Sequence, residues 1–228
     1  MLKKFLHRIA RWLFRYLTHT QIYGLENLPS EGAYILATNH LSRFDPPLIF
    51  ALIDREDVTA LVAKKYLRYP FFRILVNAVD GIWLDRENPD PKALRAAWTH
   101  LREGGIIGIA PEGTRSSSHA LLPAKSGVAF LATKAGVSIV PVGITGTENI
   151  ISDGYHLRRS HITVRIGKPF YLPRLNRKDK DSSLRRNTDE IMCRIAFLLP
   201  PRYRGVYSDH SRLKALLSEV EDSDDRPR

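Results

Sequence analysis

"AYILATNHLSRFDP", residues 33–46, starts as an unbroken apolar run and ends in polar residues and a proline. The run is too short for a helix and does not alternate, so it reads as a strand buried on both faces. Asp45 before Pro46 reads as an N-cap followed by N1, where the missing proline N–H costs nothing, and a helix is expected through "PLIFALI" (47–53). The polar link between strand and helix, "NHLSRFDP" (39–46), raises the functional question. His40 and Asp45 are either a reactive pair or a strand end and a cap.

The same alternation continues outward. Strands are expected at "VTALVA" (58–63), "GIWLDR" (81–86), "GIIGIAPEGTR" (105–115, running into a loop), "VSIVPVGITG" (137–146) and "ITVRIGKPF" (162–170). Helices are expected over "YLRYPFFRILVNAV" (66–79) and after Asp90–Pro91, where Leu94, Ala97, Trp98 and Leu101 share a face and Gly104 ends the run. Two more are expected over "SGVAFLATKAG" (126–136), capped by Ser126, and "SSLRRNTDEIMCRIAFLL" (182–199). Buried strands separated by helices define a single α/β domain with a largely parallel central sheet flanked by helices.

The 228 residues, 43% hydrophobic, suit one such core. A single cysteine, Cys193, excludes an internal disulfide framework and fits a reducing, cytosol-facing compartment. No apolar run reaches the roughly 20 residues of a membrane span, and no secretory signal is expected. The net charge of +11 calls for an anionic partner. Eight histidines without ligand spacing and one cysteine offer no metal site.

The charge is uneven. Residues 1–18 contain Lys3, Lys4, Arg8, Arg11 and Arg15 and no acid, while Leu2, Phe5, Leu6, Ile9, Trp12, Leu13, Tyr16 and Leu17 recur at helical spacing. At about 1.5 Å per residue this is a helix of roughly 25 Å, expected to lie in the plane of an anionic membrane surface. The chain is therefore divided into residues 1–20, an amphipathic membrane-association helix; 21–208, the main domain; and 209–228, a C-terminal helix and acidic tail. The end, "SEVEDSDDRPR" (218–228), is expected to fray.

Several expected strands end in polar groups: "NHLSRFDP", "WLDR" and "PEGTR". Each has an ordinary explanation, as a cap, a surface charge or a turn. In a parallel sheet, however, these ends share one edge, and one joint site is simpler than a set of coincidences.

Together "NH-x4-D-P", "GIWLDR", "PEGTR" and "IVPVGITGTE", in this order, resemble the glycerolipid acyltransferases, which include 1-acylglycerol-3-phosphate and glycerol-3-phosphate acyltransferases. The resemblance covers about residues 20 to 172. It implies that Asp45 folds back onto His40 as a catalytic pair. It also implies that Glu112 and Gly113 serve acceptor binding. The expected activity is transfer of a fatty acyl group to lysophosphatidic acid, giving phosphatidic acid in phospholipid synthesis. Another lysophospholipid or glycerol 3-phosphate is the alternative acceptor.

The chemistry supports these assignments. Acyl transfer to an alcohol needs a base, and histidine, titrating near about 6.5, suits neutral pH when a carboxylate fixes its tautomer. No G-x-S-x-G elbow is present, so direct attack by the hydroxyl is expected, without an acyl-enzyme. A phosphate-bearing acceptor needs cations, for which Arg86, Arg115 and Lys125 are the candidates. Thr114 belongs to the same loop, and Gly113 lets the backbone approach the phosphate. Glu112 is expected to orient an arginine or accept a glycerol hydroxyl, and Asn39 to support the histidine loop. No cofactor is expected, only acyl-CoA or acyl-acyl carrier protein as co-substrate. The expected placement is peripheral, on the cytoplasmic face of a membrane. A basic nucleic-acid-binding protein is the reading from another class, but residues 158–186 lack aromatic interleaving and a helix-turn-helix pattern, and no nucleic-acid partner is expected. A catalytically silent lipid-binding relative would not need His40 and Asp45.

Overall fold

The computed structural model describes residues 2–86 and 88–224, excluding the side chains of Phe71 and residues 220–224. The helices are α1 (Leu2–Leu17), α2 (Asp45–Leu52), α3 (Pro70–Ala78), α4 (Pro91–Arg102), α5 (Gly127–Ala135), α6 (Ile150–Tyr155), α7 (Lys180–Leu198) and α8 (Ser211–Asp224). The strands are β1 (Thr18–Tyr23), β2 (Tyr34–Thr38), β3 (Val58–Ala63), β4 (Ile82–Leu84), β5 (Ile106–Ile109), β6 (Ser138–Thr145) and β7 (Ser160–Ile166). They form one seven-stranded sheet in the order β1-β7-β6-β2-β5-β3-β4. Neighbours are parallel except β6 and β7. The mixed pair leaves the sheet largely parallel.

The apolar run of β2 is uninterrupted because both faces are covered. Ile35 and Ala37 join a core with residues of α4, α5, α7 and α8. Tyr34 and Leu36 point the other way, into a core with α2 and Phe14 of α1. Ile35 is 0% and Leu36 1% exposed, so truncating either to alanine costs roughly 2–5 kcal/mol. The parallel strands β2 to β6 leave their C-terminal ends along one edge, where the loops of His40, Arg86, Glu112 and Thr147 emerge.

Some local expectations need correction. The N-cap of α2 is Phe44 and Asp45 is its first helical residue; the carboxylate turns back to the preceding loop, whose free N–H groups outcompete the helix end for it. The helix expected over 66–79 is a 3-10 turn, Lys64–Arg68, followed by α3 from Pro70, because the residue before a proline is held out of the helical region. Ser126 stands at the N-cap of α5 without a capping bond, whereas Asp90 caps α4 by accepting the Ala93 N–H. The edge strand β1 and the short helix α6 had no sequence assignment. The chain end expected to fray is helical as far as Asp224, and residues 225–228 lie outside those described.

Helix α1 packs mainly against α2, the other way round from the usual amphipathic helix. Its half-buried residues are Lys3, Leu6, His7, Ala10 and Phe14, while Leu2, Phe5, Ile9, Trp12, Leu13 and Tyr16 are exposed. Lys3 pairs with Asp80 at 2.9 Å, Lys4 with Glu56 at 2.7 Å and Arg11 with Asp54 at 3.3 Å. Arg11 also donates to the Ala51 carbonyl at 3.2 Å, and the His7 ring meets the Ile53 carbonyl at 2.9 Å. Much of the basic face expected to meet lipid is thus spent on the C-terminal end of α2, the loop after it and the turn after α3. Among the described residues, no helix is long and apolar enough to cross a membrane.

Candidate active site

One residue beyond β2, the chain is pinned. Asn39, 1% exposed, donates Nδ2–H to the Ile144 carbonyl and accepts the Ile144 N–H, both at 2.8 Å. Its amide thus extends the β2–β6 pairing by one side chain and fixes where the next residue points.

That residue is His40. Its Nδ1 lies 2.8 Å from Asp45 Oδ2. The same oxygen accepts the N–H groups of Leu41 and Ser42, each at 2.8 Å. Oδ1 accepts the Thr147 hydroxyl at 2.5 Å and the Ser42 hydroxyl at 3.4 Å. Asp45 is 1% exposed. A buried carboxylate with this many donors is held in one orientation. Because it only accepts, His40 carries its proton on Nδ1 and presents Nε2 as a lone pair. Among the described residues nothing bonds Nε2.

The loop after β5 closes on the histidine. Glu112 Oε1 accepts the His40 N–H at 2.9 Å and Oε2 the Leu122 N–H at 2.8 Å. The Ser116 N–H donates to the His40 carbonyl at 2.9 Å. Glu112 is 3% exposed and makes no hydrogen bond or ion pair with Arg86 or Arg115, so of its two expected roles the orienting of an arginine is not seen. Two unpaired loop N–H groups are its partners instead. Burial pushes its carboxyl up to about 7, against the two N–H donors and with help from the Asp45 charge.

Gly113 has φ 69°, and a Cβ there would meet the Lys125 chain at 3.4 Å. Its carbonyl accepts Arg86 Nη1–H at 2.6 Å, and Lys125 Nζ donates to the Arg86 carbonyl at 3.0 Å. Arg86, Gly113 and Lys125 therefore form one group joining the ends of β4 and β5. Burial lowers the Arg86 guanidinium from its usual value. Thr114 and Arg115 are exposed, and Arg115 makes no ion pair among the described residues.

Arg115 instead lines a cavity of about 140 Å³ over the His40–Asp45 loop, with Arg43, His119, Thr147, Glu148 and Ile151. A larger groove of about 540 Å³ between β4 and α4 includes none of these residues. The sequence reading missed Arg43, His119, Thr147 and Glu148, although Thr147 and Glu148 end the quoted "IVPVGITGTE". It also missed Tyr203, whose hydroxyl donates to Glu148 at 2.6 Å, and Tyr207, whose hydroxyl accepts the Ala124 N–H at 3.2 Å. Nothing local marks either tyrosine. Among the described residues no group of three or more metal-ligating side chains comes together.

The Acyltransferase family model matches residues 19–145, more than half of the chain. The 1-acyl-sn-glycerol-3-phosphate acyltransferase of Bacillus subtilis is 26% identical over 152 residues, 66% of this chain and 73% of that one. Its namesake in Borreliella burgdorferi is 33% identical over 134 residues, 56% of this chain and 52% of that one. The crystal structure of the 1-acyl-sn-glycerophosphate acyltransferase of Thermotoga maritima superposes with a TM-score of 0.63 at 25% identity, covering 83% of this chain and 79% of that one.

Proposed function

The chain belongs to the acyltransferase family, and we propose that it transfers a fatty acyl group from a thioester to the free hydroxyl of lysophosphatidic acid, giving phosphatidic acid. The observation that carries this reading is His40 held by a buried Asp45, with Nε2 unbonded among the described residues and the intervening loop, Leu41 to Phe44, lining a cavity that also holds Arg115. Nε2 accepts the hydroxyl proton as the acceptor oxygen attacks the thioester carbonyl. The tetrahedral intermediate collapses, the C–S bond breaks, and the imidazolium returns the proton to the departing thiolate. Asp45 stabilises that imidazolium and keeps the ring in place.

Arg115, with Arg43 in the same cavity, supplies cationic donors for the acceptor phosphate. Arg86, Lys125 and the backbone at Gly113 and Thr114 complete the basic rim. Asn39 and Glu112 are positioning residues, holding the strand end and the His40 backbone. In this reading residues 1–20 contact the membrane, 21–208 carry the reaction, and 209–228 are a C-terminal helix and acidic tail. The enzyme works peripherally on the cytoplasmic face, where the outward apolar stripe of α1 enters the lipid interface. The names of the relatives support the acceptor.

The test is to incubate purified protein with acyl-CoA or acyl-acyl carrier protein and a panel of lysophospholipids plus glycerol 3-phosphate, identifying products by mass spectrometry. Phosphatidic acid from lysophosphatidic acid is expected with one donor or both. Product from glycerol 3-phosphate alone would move the reading to the alternative acceptor, and no acyl transfer with any pair would overturn it.

A further inference from the structure

Between α6 and β7 the chain holds two large apolar side chains out in solvent: Tyr155 is 84% and Leu157 96% exposed. The turn is not loose. Leu157 N–H donates to the Gly154 carbonyl at 3.1 Å, Arg158 N–H to the Asp153 carbonyl at 2.9 Å, and the Ser160 hydroxyl to Asp153 Oδ2 at 2.7 Å. Leu157 also has φ 53°, a left-handed backbone that residues with a Cβ rarely adopt and that marks functional segments more often than others. A fold built for water alone gains nothing from displaying leucine this way.

Its surroundings supply the reason. Arg159 Nη2 donates to the carbonyls of Arg15 at 2.7 Å and Thr18 at 2.6 Å, locking the turn to the C-terminal end of α1. There Trp12 and Tyr16 are each 57% and Leu17 59% exposed. On its other side α6 contributes Ile151 to the cavity over the His40–Asp45 loop. The turn, the outward stripe of α1 and the cavity mouth thus share one corner of the molecule. Arg8, Arg15 and Arg158 have no acidic partner among the described residues and lie in the same two segments, so apolar tips are accompanied by unspent positive charge. This is the composition of an interfacial lipid contact.

We propose that the α6–β7 turn is a second lipid-inserting element, docking with α1 on an anionic bilayer through Tyr155, Leu157 and Arg158. Two contacts fix the tilt of the domain, which one helix leaves free to roll. The tilt brings the cavity to the bilayer surface, so the acceptor's acyl chain can stay in the membrane. Only this delivery step rests on the lysophospholipid reading.

The experiment compares full-length protein with Tyr155→Ser/Leu157→Ser and with Leu157→Gly, which suits the left-handed backbone and so controls for folding. Partition onto vesicles of mixed phosphatidylcholine and phosphatidylglycerol is measured by co-sedimentation. The double variant should lose roughly tenfold or more in partition coefficient, Leu157→Gly a smaller part of that, and neither should melt earlier. Turnover of vesicle-embedded lysophosphatidic acid should fall with binding, and turnover of a water-soluble short-chain analogue should not. Unchanged partition would overturn the proposal. So would loss of self-association in the double variant without lipid, which would assign the turn to contact between copies. If native protein turns over neither the vesicle-embedded nor the soluble acceptor, the catalytic reading fails, while the vesicle result still decides this one.

Discussion

Glu112 accepts the backbone N–H of His40 at 2.9 Å across 72 residues of sequence, so the loop after β5 holds the candidate base by its main chain. Its other oxygen holds Leu122 at 2.8 Å. The carboxylate is a cross-brace between two loops, and its charge is a cost the brace carries.

That cost sets a pH dependence. Glu112 is raised from 4.5 to about 7 in the folded protein, so the folded state favours the protonated form. Its contribution is present in full below about 4.5 and is lost as pH rises through about 7, a total of roughly 3 kcal/mol. Glu112→Gln removes this titration. Thermal melts across that window should show a shallower decline for the variant than for native protein, and parallel curves would count against the assignment.

His40→Ala should reduce turnover by at least about 10²-fold with a near-native melting temperature, because the other four donors to Asp45 remain. Asp45→Asn places an NH2 among groups that all donate, and should cost about 1–3 kcal/mol of stability as well as activity. Steady-state rates beside calorimetry separate the two. Folded His40→Ala protein with ordinary rates would remove the mechanism.

Arg115→Ala should raise the acceptor KM by roughly 10–150-fold, the equivalent of a charge-assisted contact of about 1.5–3 kcal/mol, without affecting melting. Arg86→Ala should also lower the melting temperature, because Arg86 holds the Gly113 carbonyl. Acylation of an uncharged monoacylglycerol should be hurt less by Arg115→Ala. Equal losses on both acceptors would mean that Arg115 does not serve the phosphate.

Three of the five cations in α1 are paired with Asp80, Glu56 and Asp54. Vesicle binding through α1 should therefore depend on its apolar stripe, with a salt dependence near that of Arg8 and Arg15 alone, each about 1 kcal/mol at an anionic surface. Phe5→Ser/Trp12→Ser should weaken binding in vesicle sedimentation at every salt concentration without altering melting. Complete release by moderate salt would show that charge dominates.

Much of the fold is legible along the chain because it depends on local order. The run Tyr34–Thr38 must be covered on both sides wherever it lies, and alternation with helices then requires parallel strands. His40, Arg86 and Glu112 each follow such a strand, so their common edge could be inferred. Local order does not reach further. β1, "THTQIY", has no apolar run because it is an edge strand, and it exists through pairing with β7, Thr18 opposite Ser160. The periodicity of α1 marks two faces but is identical whichever face turns inward; Asp54, Glu56 and Asp80, distant in sequence, decide it. The carboxylates of Asp45 and Glu112 go where unpaired N–H groups happen to converge. For Asp45 two of these N–H groups, Leu41 and Ser42, lie in its own loop. The Thr147 hydroxyl on Asp45 and the His40 N–H on Glu112 come from loops that become neighbours only when the sheet assembles, so those partners were decided by the tertiary structure alone.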